Sequence, residues 1–93
     1  KPAASVAVCR RGGASATFDR LNKYFTINNM PIVSSQYWNS VHGATAGEAR
    51  KDEEGMQTMR TLGRNMAWLL RKIAADQTPV PQSEERIATN FIR

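Results

Sequence analysis

The run Ala4 to Cys9 (ASVAVC), followed at once by Arg10-Arg11-Gly12-Gly13 and then by a helical stripe, limits the possible folds more than any other feature of this chain. Apolar residues on both alternating faces suit a strand covered on both sides, which is the mark of a parallel sheet rather than a surface hairpin. The glycine pair permits positive φ in the turn, and Ser15 and Thr17 stand near a helix start. From Ala14 to about Ile27, the apolar positions Ala14, Phe18, Leu21 and Phe25 recur at steps of four and three, so a helix with one buried stripe is expected. Asn28-Asn29 can end that helix in the left-handed conformation. Met30 to Val33 (MPIV) is a second short apolar run, and Pro31, which has no N–H to donate, belongs at its first residues or on a sheet edge.

Two strands separated by a helix form the parallel unit of α/β folds. Beyond the second run, Ser34 to Gly47 (SSQYWNSVHGATAG) shows no sustained period and is expected to be a long loop, a class that is functional or disordered in compact domains. Asp52 is a helix cap, with Glu53 and Glu54 well placed for the macrodipole. Met56, Met59, Leu62, Met66, Leu69, Leu70 and Ile73 then keep helical period to about Ala75. From Gln77 the period is lost, and Pro79 and Pro81 point to an extended arm, so the expected division is a folded unit over 1–76 and a tail over 77–93. Two strands alone make a poor sheet. The remaining strands are expected from upstream sequence, another chain or a symmetry mate, and the start at Lys1, close to the first strand, reads as that of a fragment or processed chain.

The single cysteine, Cys9, allows no internal disulfide, which removes the stapled secreted scaffolds and makes a reducing compartment the expectation. No stretch approaches the about 20 apolar residues needed to span a bilayer, so the chain reads as soluble and cytoplasmic. A formal charge of +5 raises nucleic acid as a partner, since clustered cations gain from counterion release. Apart from Arg10-Arg11, however, the basic residues are spread out and interleaved with Asp19, Asp52, Glu53 and Glu54, as on solvated helix faces.

Four segments together resemble the flavodoxin-like NAD(P)H-dependent FMN reductases, including the multimeric flavodoxin and iron-sulfur flavoprotein types. They are Ala7 to Thr17 (AVCRRGGASAT), Met30 to Gly43 (MPIVSSQYWNSVHG), Asp52 to Leu70 (DEEGMQTMRTLGRNMAWLL) and Thr89 to Arg93 (TNFIR). The resemblance implies a flavodoxin-like three-layer parallel sheet, of which this chain is the C-terminal β-α-β-α portion. It also implies that two loops face FMN. In the first, Arg10, Arg11, Gly12 and Gly13 match the segment that wraps the flavin ring, in keeping with the rule that ligands of open α/β sheets bind outside the carboxyl ends of strands. In the second, Ser35, Tyr37, Trp38 and Asn39 match the loop that brings aromatic faces and ring-edge hydrogen bonds.

Other chemistry-bearing residues read more plainly. His42, the single histidine, has no second histidine, cysteine pair or carboxylate cluster in the sequence to make it a ligand or general acid, and reads as a loop residue. Cys9 reads as a small strand residue, and the Met56, Met59, Met66 stripe as a core or interface face. The Ser/Thr-rich loop that holds the FMN phosphate in the family has no counterpart here, nor does an iron-sulfur cysteine cluster. The function implied is therefore the ring-contacting segment of an FMN-binding oxidoreductase. That segment would be an NAD(P)H-dependent reductase when joined to its N-terminal half, either as a homo-oligomer or with that half as partner. The alternatives are a non-catalytic oligomerisation module and, behind it, a small basic nucleic-acid-binding domain.

Overall fold

The computed structural model describes residues 1–91 and contains β1 (Ala7–Cys9), α1 (Ala14–Ile27), β2 (Ser40–His42), α2 (Ala46–Ala49) and α3 (Glu53–Ala75) in chain order. β1 and β2 pair in parallel, with Ala7 opposite Ser40, Val8 opposite Val41 and Cys9 opposite His42. Ala3 and Ile32 form an isolated parallel bridge further back. Ala3 N–H donates to Pro31 O at 2.9 Å, and Val33 N–H to Ala3 O at 2.9 Å. Pairing then lapses and resumes where Ala7 N–H donates to Asn39 O at 3.0 Å. Between bridge and ladder one side advances four residues, from Ala3 to Ala7, while the other advances eight, from Ile32 to Ser40.

The second strand therefore differs from its expected position. Met30–Val33 supplies the bridge alone, and the paired strand lies within the 34–47 segment expected to be a loop. Ser40-Val41-His42 carries one apolar residue and so has no visible period. Val41 is nonetheless 3% exposed, because β1 and the helices close around it.

Neighbouring strand residues point to opposite faces. Ala7 (5% exposed) and Val41 (3%) are one step apart in register, so both faces of the pair are covered. α1 packs on both strands, and α2 and α3 pack on β2. This α/β arrangement is compatible with a portion of a flavodoxin-like domain. Val8 in β1, however, is 61% exposed, and Val6 just before the strand is 42% exposed.

Helix ends follow local chemistry. α1 starts at Gly13, whose φ of 94° is open to glycine, with no side-chain cap. Ser15 makes no cap, and the Thr17 hydroxyl instead donates to Gly13 O at 2.9 Å. At its other end Asn29 takes φ 57°, while Met30 N–H reaches Phe25 O at 3.0 Å and Asn29 N–H reaches Thr26 O at 3.2 Å, a Schellman closure. α3 is capped by Asp52, whose Oδ1 accepts from Gly55 N–H at 2.9 Å. Residues 77–91 carry no helix or strand and are exposed. Of the terminal Thr89 to Arg93 segment, Ile92 and Arg93 lie outside the described residues. No helix among the described residues is long and apolar enough to cross a membrane.

Candidate functional site

The carboxyl ends of β1 and β2 lie side by side at Cys9 and His42, and Gly43 N–H donates to Cys9 O at 3.0 Å. The loop leaving Cys9 divides here. Gly12 and Gly13 border a cleft of about 330 Å³ with Cys9, Ser15, Ser40 and His42. Arg10 and Arg11 border a wider one of about 660 Å³ with His42, Glu48, Lys51 and Asp52. A Cβ built on either Gly12 or Gly13 would meet nothing within 4 Å, so the glycine backbone faces open space. α1 begins at this point without a side-chain cap, so its first N–H groups are available to an acceptor placed in the cleft.

The Ser34–Asn39 segment is the excursion between bridge and ladder, fastened from three sides. Asn39 is 2% exposed, and its Nδ2 donates to Ser5 O at 3.1 Å. The Ser35 hydroxyl lies 2.6 Å from Asn39 Oδ1 and 2.7 Å from Tyr37 O. Gln36 bridges to α3 through Gln57 (2.9 Å) and Thr61 (2.8 Å), and Asn65 Nδ2 donates to Ser34 O at 2.8 Å. The polar tip is thereby held, and the Tyr37 and Trp38 rings are left outward, 55% and 54% exposed, with centroids 4.8 Å apart and planes tilted 38°.

The structure thus separates the residues grouped by sequence. Gly12 and Gly13 share a cleft with Ser40 and His42, and Tyr37 reaches the strand ends through a small hollow that it shares with Ser40, His42, Asp52 and Thr58. Ser35, Trp38 and Asn39 line none of these three clefts. Asn39 is instead a buried strut between the two strands.

His42 is the residue that sequence reasoning passed over. It borders all three clefts. Its backbone N–H donates to Asp52 Oδ2 at 2.8 Å, and its ring Nδ1 lies 3.7 Å from the same oxygen. The Gly55 N–H first, and the His42 N–H next, hold the Asp52 carboxyl below its ordinary range against a smaller opposing effect of burial. Asp52 was legible as a cap, but its tie to His42 was not, because β2 was hidden in the sequence. Among the described residues, no three His, Cys, Asp or Glu side chains are grouped as a metal site.

No family model and no solved structure matches the chain. An iron-sulfur flavoprotein of Methanocaldococcus jannaschii is 28% identical over 76 aligned residues, which cover 76% of this chain. The chain spans 39% of that relative's length. A chain with glycine-lined strand ends and a parallel strand pair is thus similar, over most of its length, to part of a flavoprotein.

Proposed function

We propose that this chain supplies the ring-contacting part of the FMN site of an NAD(P)H-dependent oxidoreductase. The observation that carries the reading is the open glycine loop at the uncapped start of α1, placed at the carboxyl ends of two parallel strands. Backbone N–H groups of Gly12, Gly13 and the first turn of α1 would meet the polar edge of the isoalloxazine, with Tyr37 approaching from the β2 side and Arg10 and Arg11 at the rim. Ser35 and Asn39 would act from beneath by fixing the loop that carries Tyr37 and Trp38. A flavin held there would supply hydride-transfer chemistry between NAD(P)H and an acceptor. The side chains of this chain position it and shape its surroundings.

An iron-sulfur cluster does not fit this chain. Such clusters are held mainly by several cysteine thiolates, and the sequence has one cysteine. The flavin phosphate also lacks a Ser/Thr-rich loop of the usual kind. The test is a titration of FMN with the purified chain, following flavin fluorescence. Saturable quenching, weakened by Gly12→Val and by Tyr37→Ala, supports the reading. Absence of quenching at protein concentrations well above micromolar overturns it for the isolated chain.

The exposed Val8 of β1 and Val6, just before the strand, favour a second role alongside the first. Ala7 N–H faces β2, and in a parallel ladder alternate residues bond to opposite sides, so Val6 and Val8 present their backbone groups to the other edge. An unpaired edge of this kind recruits a strand, either from an N-terminal half of the same protein or from a second copy. Light scattering that finds a stable monomer at high concentration counts against the second copy.

A further inference from the structure

We propose that the extended arm over residues 77–91 of one copy of this chain lies along the basic face of α3 in a second copy, the two copies exchanging arms. The proposal goes beyond the flavin reading and does not rest on it. Residues 77–91 are exposed throughout, and Val80, Ile87 and Phe91 are almost fully so. A segment that keeps three large apolar side chains in water gains by covering them.

Charge selects the surface. Beyond Glu54, α3 holds no acidic residue as far as Ala75, while Arg60, Arg64, Arg71 and Lys72 are all exposed. Residues 60, 64, 67 and 71 recur at steps of four and three and so share one helix face. Arg60, Arg64 and Arg71 border one open trough with the small residues Gly63 and Ala67. Arg60 also borders the hollow that holds Glu53 and Glu54, so the uniformly basic part of the face begins at Arg64. Among the described residues neither Arg64 nor Arg71 forms an ion pair, and the arm brings the opposite charge in Glu84 and Glu85, which form none either. Leu70, three residues after Ala67 and 47% exposed, adds an apolar side chain to the same face. An extended run from Glu84 to Ile87 covers about 10 Å and the helix from Arg64 to Leu70 about 9 Å, so an acidic and an apolar residue of the arm can meet their partners together.

The arm leaves its own α3 without turning back. Gln77 Nε2 donates to Ala74 O at 2.8 Å, and Asp76 Oδ1 accepts from the N–H and the hydroxyl of Thr78 at 2.9 and 2.6 Å. Pro79 and Pro81 fix the backbone that follows, and Val80, standing before a proline, is held extended. From Asp76 to Pro81 such a run covers about 15 Å, more than the about 10 Å that the three steps to Glu84 can retrace. The radius of gyration is 17.2 Å, against about 12 Å for a compact chain of this length, in keeping with an arm that stands clear of the body. The α3 face of another copy is therefore the surface that the arm fits. Reciprocal exchange makes the contact twice and closes after two copies.

Sedimentation velocity of the full chain across a concentration series, with charge reversed on each side of the contact, tests the proposal. The expected result is a dimer whose dissociation constant rises by about tenfold or more in Arg64→Glu/Arg71→Glu and in Glu84→Arg/Glu85→Arg. An equimolar mixture of those two variants should restore the dimer, since each arm then meets a face of opposite charge. Arg20→Glu/Lys23→Glu, which moves the net charge on α1 by as much as the first variant does on α3, should leave it unchanged. A monomer at every concentration overturns the proposal. A dimer that either reversal leaves intact overturns it too and places the contact elsewhere, as at the β1 edge. A mixture that fails to associate does the same to the pairing of arm with helix. Far-UV circular dichroism of each variant confirms that the fold is retained. No flavin enters these measurements, so FMN quenching stands or falls separately.

Discussion

The backbone N–H of His42 and the carboxylate of Asp52, 2.8 Å apart, join the end of β2 to the start of α3. The same carboxylate caps α3 through Gly55 N–H, so one side chain fixes where a strand stops, where a helix begins and how the two meet. The clefts on either side of His42 take their shape from that joint.

Asp52→Ala should therefore lower stability near neutral pH by about 1 kcal/mol or somewhat more, the usual cost of a lost helix cap. Its dependence on pH has a definite sign. The folded-state pKa is depressed below the ordinary 3.8, so the contribution is fully present above that value and is lost as pH falls through the lower folded-state pKa. Urea denaturation of both proteins from pH 7 to pH 3 should show a gap that is constant at first and narrows below pH 3.8. A gap that widens on acidification would contradict this account.

Two glycines of α3 should respond in opposite directions to alanine. A Cβ on Gly63 meets nothing within 4 Å, so Gly63→Ala should gain about 1 kcal/mol from helix propensity. A Cβ on Gly55 would lie 2.5 Å from Asp52 Oδ2 and 2.8 Å from its Cγ. Gly55→Ala must displace a carboxylate held by two N–H donors, and it should melt lower than wild type despite the better propensity. Thermal unfolding of the two variants side by side gives the comparison.

Gly43 lies against the backbone of α2, where a Cβ would come within 2.6 Å of Ala49 N and 2.8 Å of Ala49 Cα. Backbone cannot rotate away as a side chain can, so Gly43→Ala should cost about 1–3 kcal/mol. The shift should also alter the wider cleft, which Gly43 borders. A melting temperature equal to that of wild type would show that α2 moves freely.

Asn39 ties the strands together from inside, with its amide on Ser5 O and its carbonyl on the Ser35 hydroxyl. Asn39→Ala strands those buried partners and should cost about 1–3 kcal/mol. Asn39→Asp places an acceptor against Ser5 O, which raises the folded-state pKa of the new carboxyl. That variant should therefore be more destabilised at pH 7 than at pH 4, with a gap that narrows on acidification above pH 3.8, whereas the gap of Asp52→Ala narrows only below it. Thermal melts at both pH values decide it.

Much of this fold was legible in the residues because its causes are local. The four-and-three spacing of Ala14, Phe18, Leu21 and Phe25 specifies α1, observed over Ala14–Ile27, and Asn29 closes it in the left-handed conformation. Asp52 with Glu53 and Glu54 marks the start of α3, and the apolar period runs to its end at Ala75. The glycine pair after Cys9 announces a turn, and Gly13 takes the positive φ that only glycine adopts without strain.

What lay beyond the sequence was pairing across distance. Ser40-Val41-His42 has too few apolar residues to declare a strand, and it becomes one because β1 offers Ala7, Val8 and Cys9 as partners. The eight-for-four mismatch that throws Ser34–Asn39 out of line depends on register between segments about thirty residues apart, which no local pattern encodes. The same tertiary choice buries Asn39, turns His42 into the shared wall of three clefts and sets Lys51 on the rim of the cleft that Arg10 and Arg11 border. The sequence by itself determined the helices and the glycine turn, because caps and periods act within a few residues. Only the tertiary structure decided the second strand and the composition of the site, because both are set by which backbone groups find partners across the sheet.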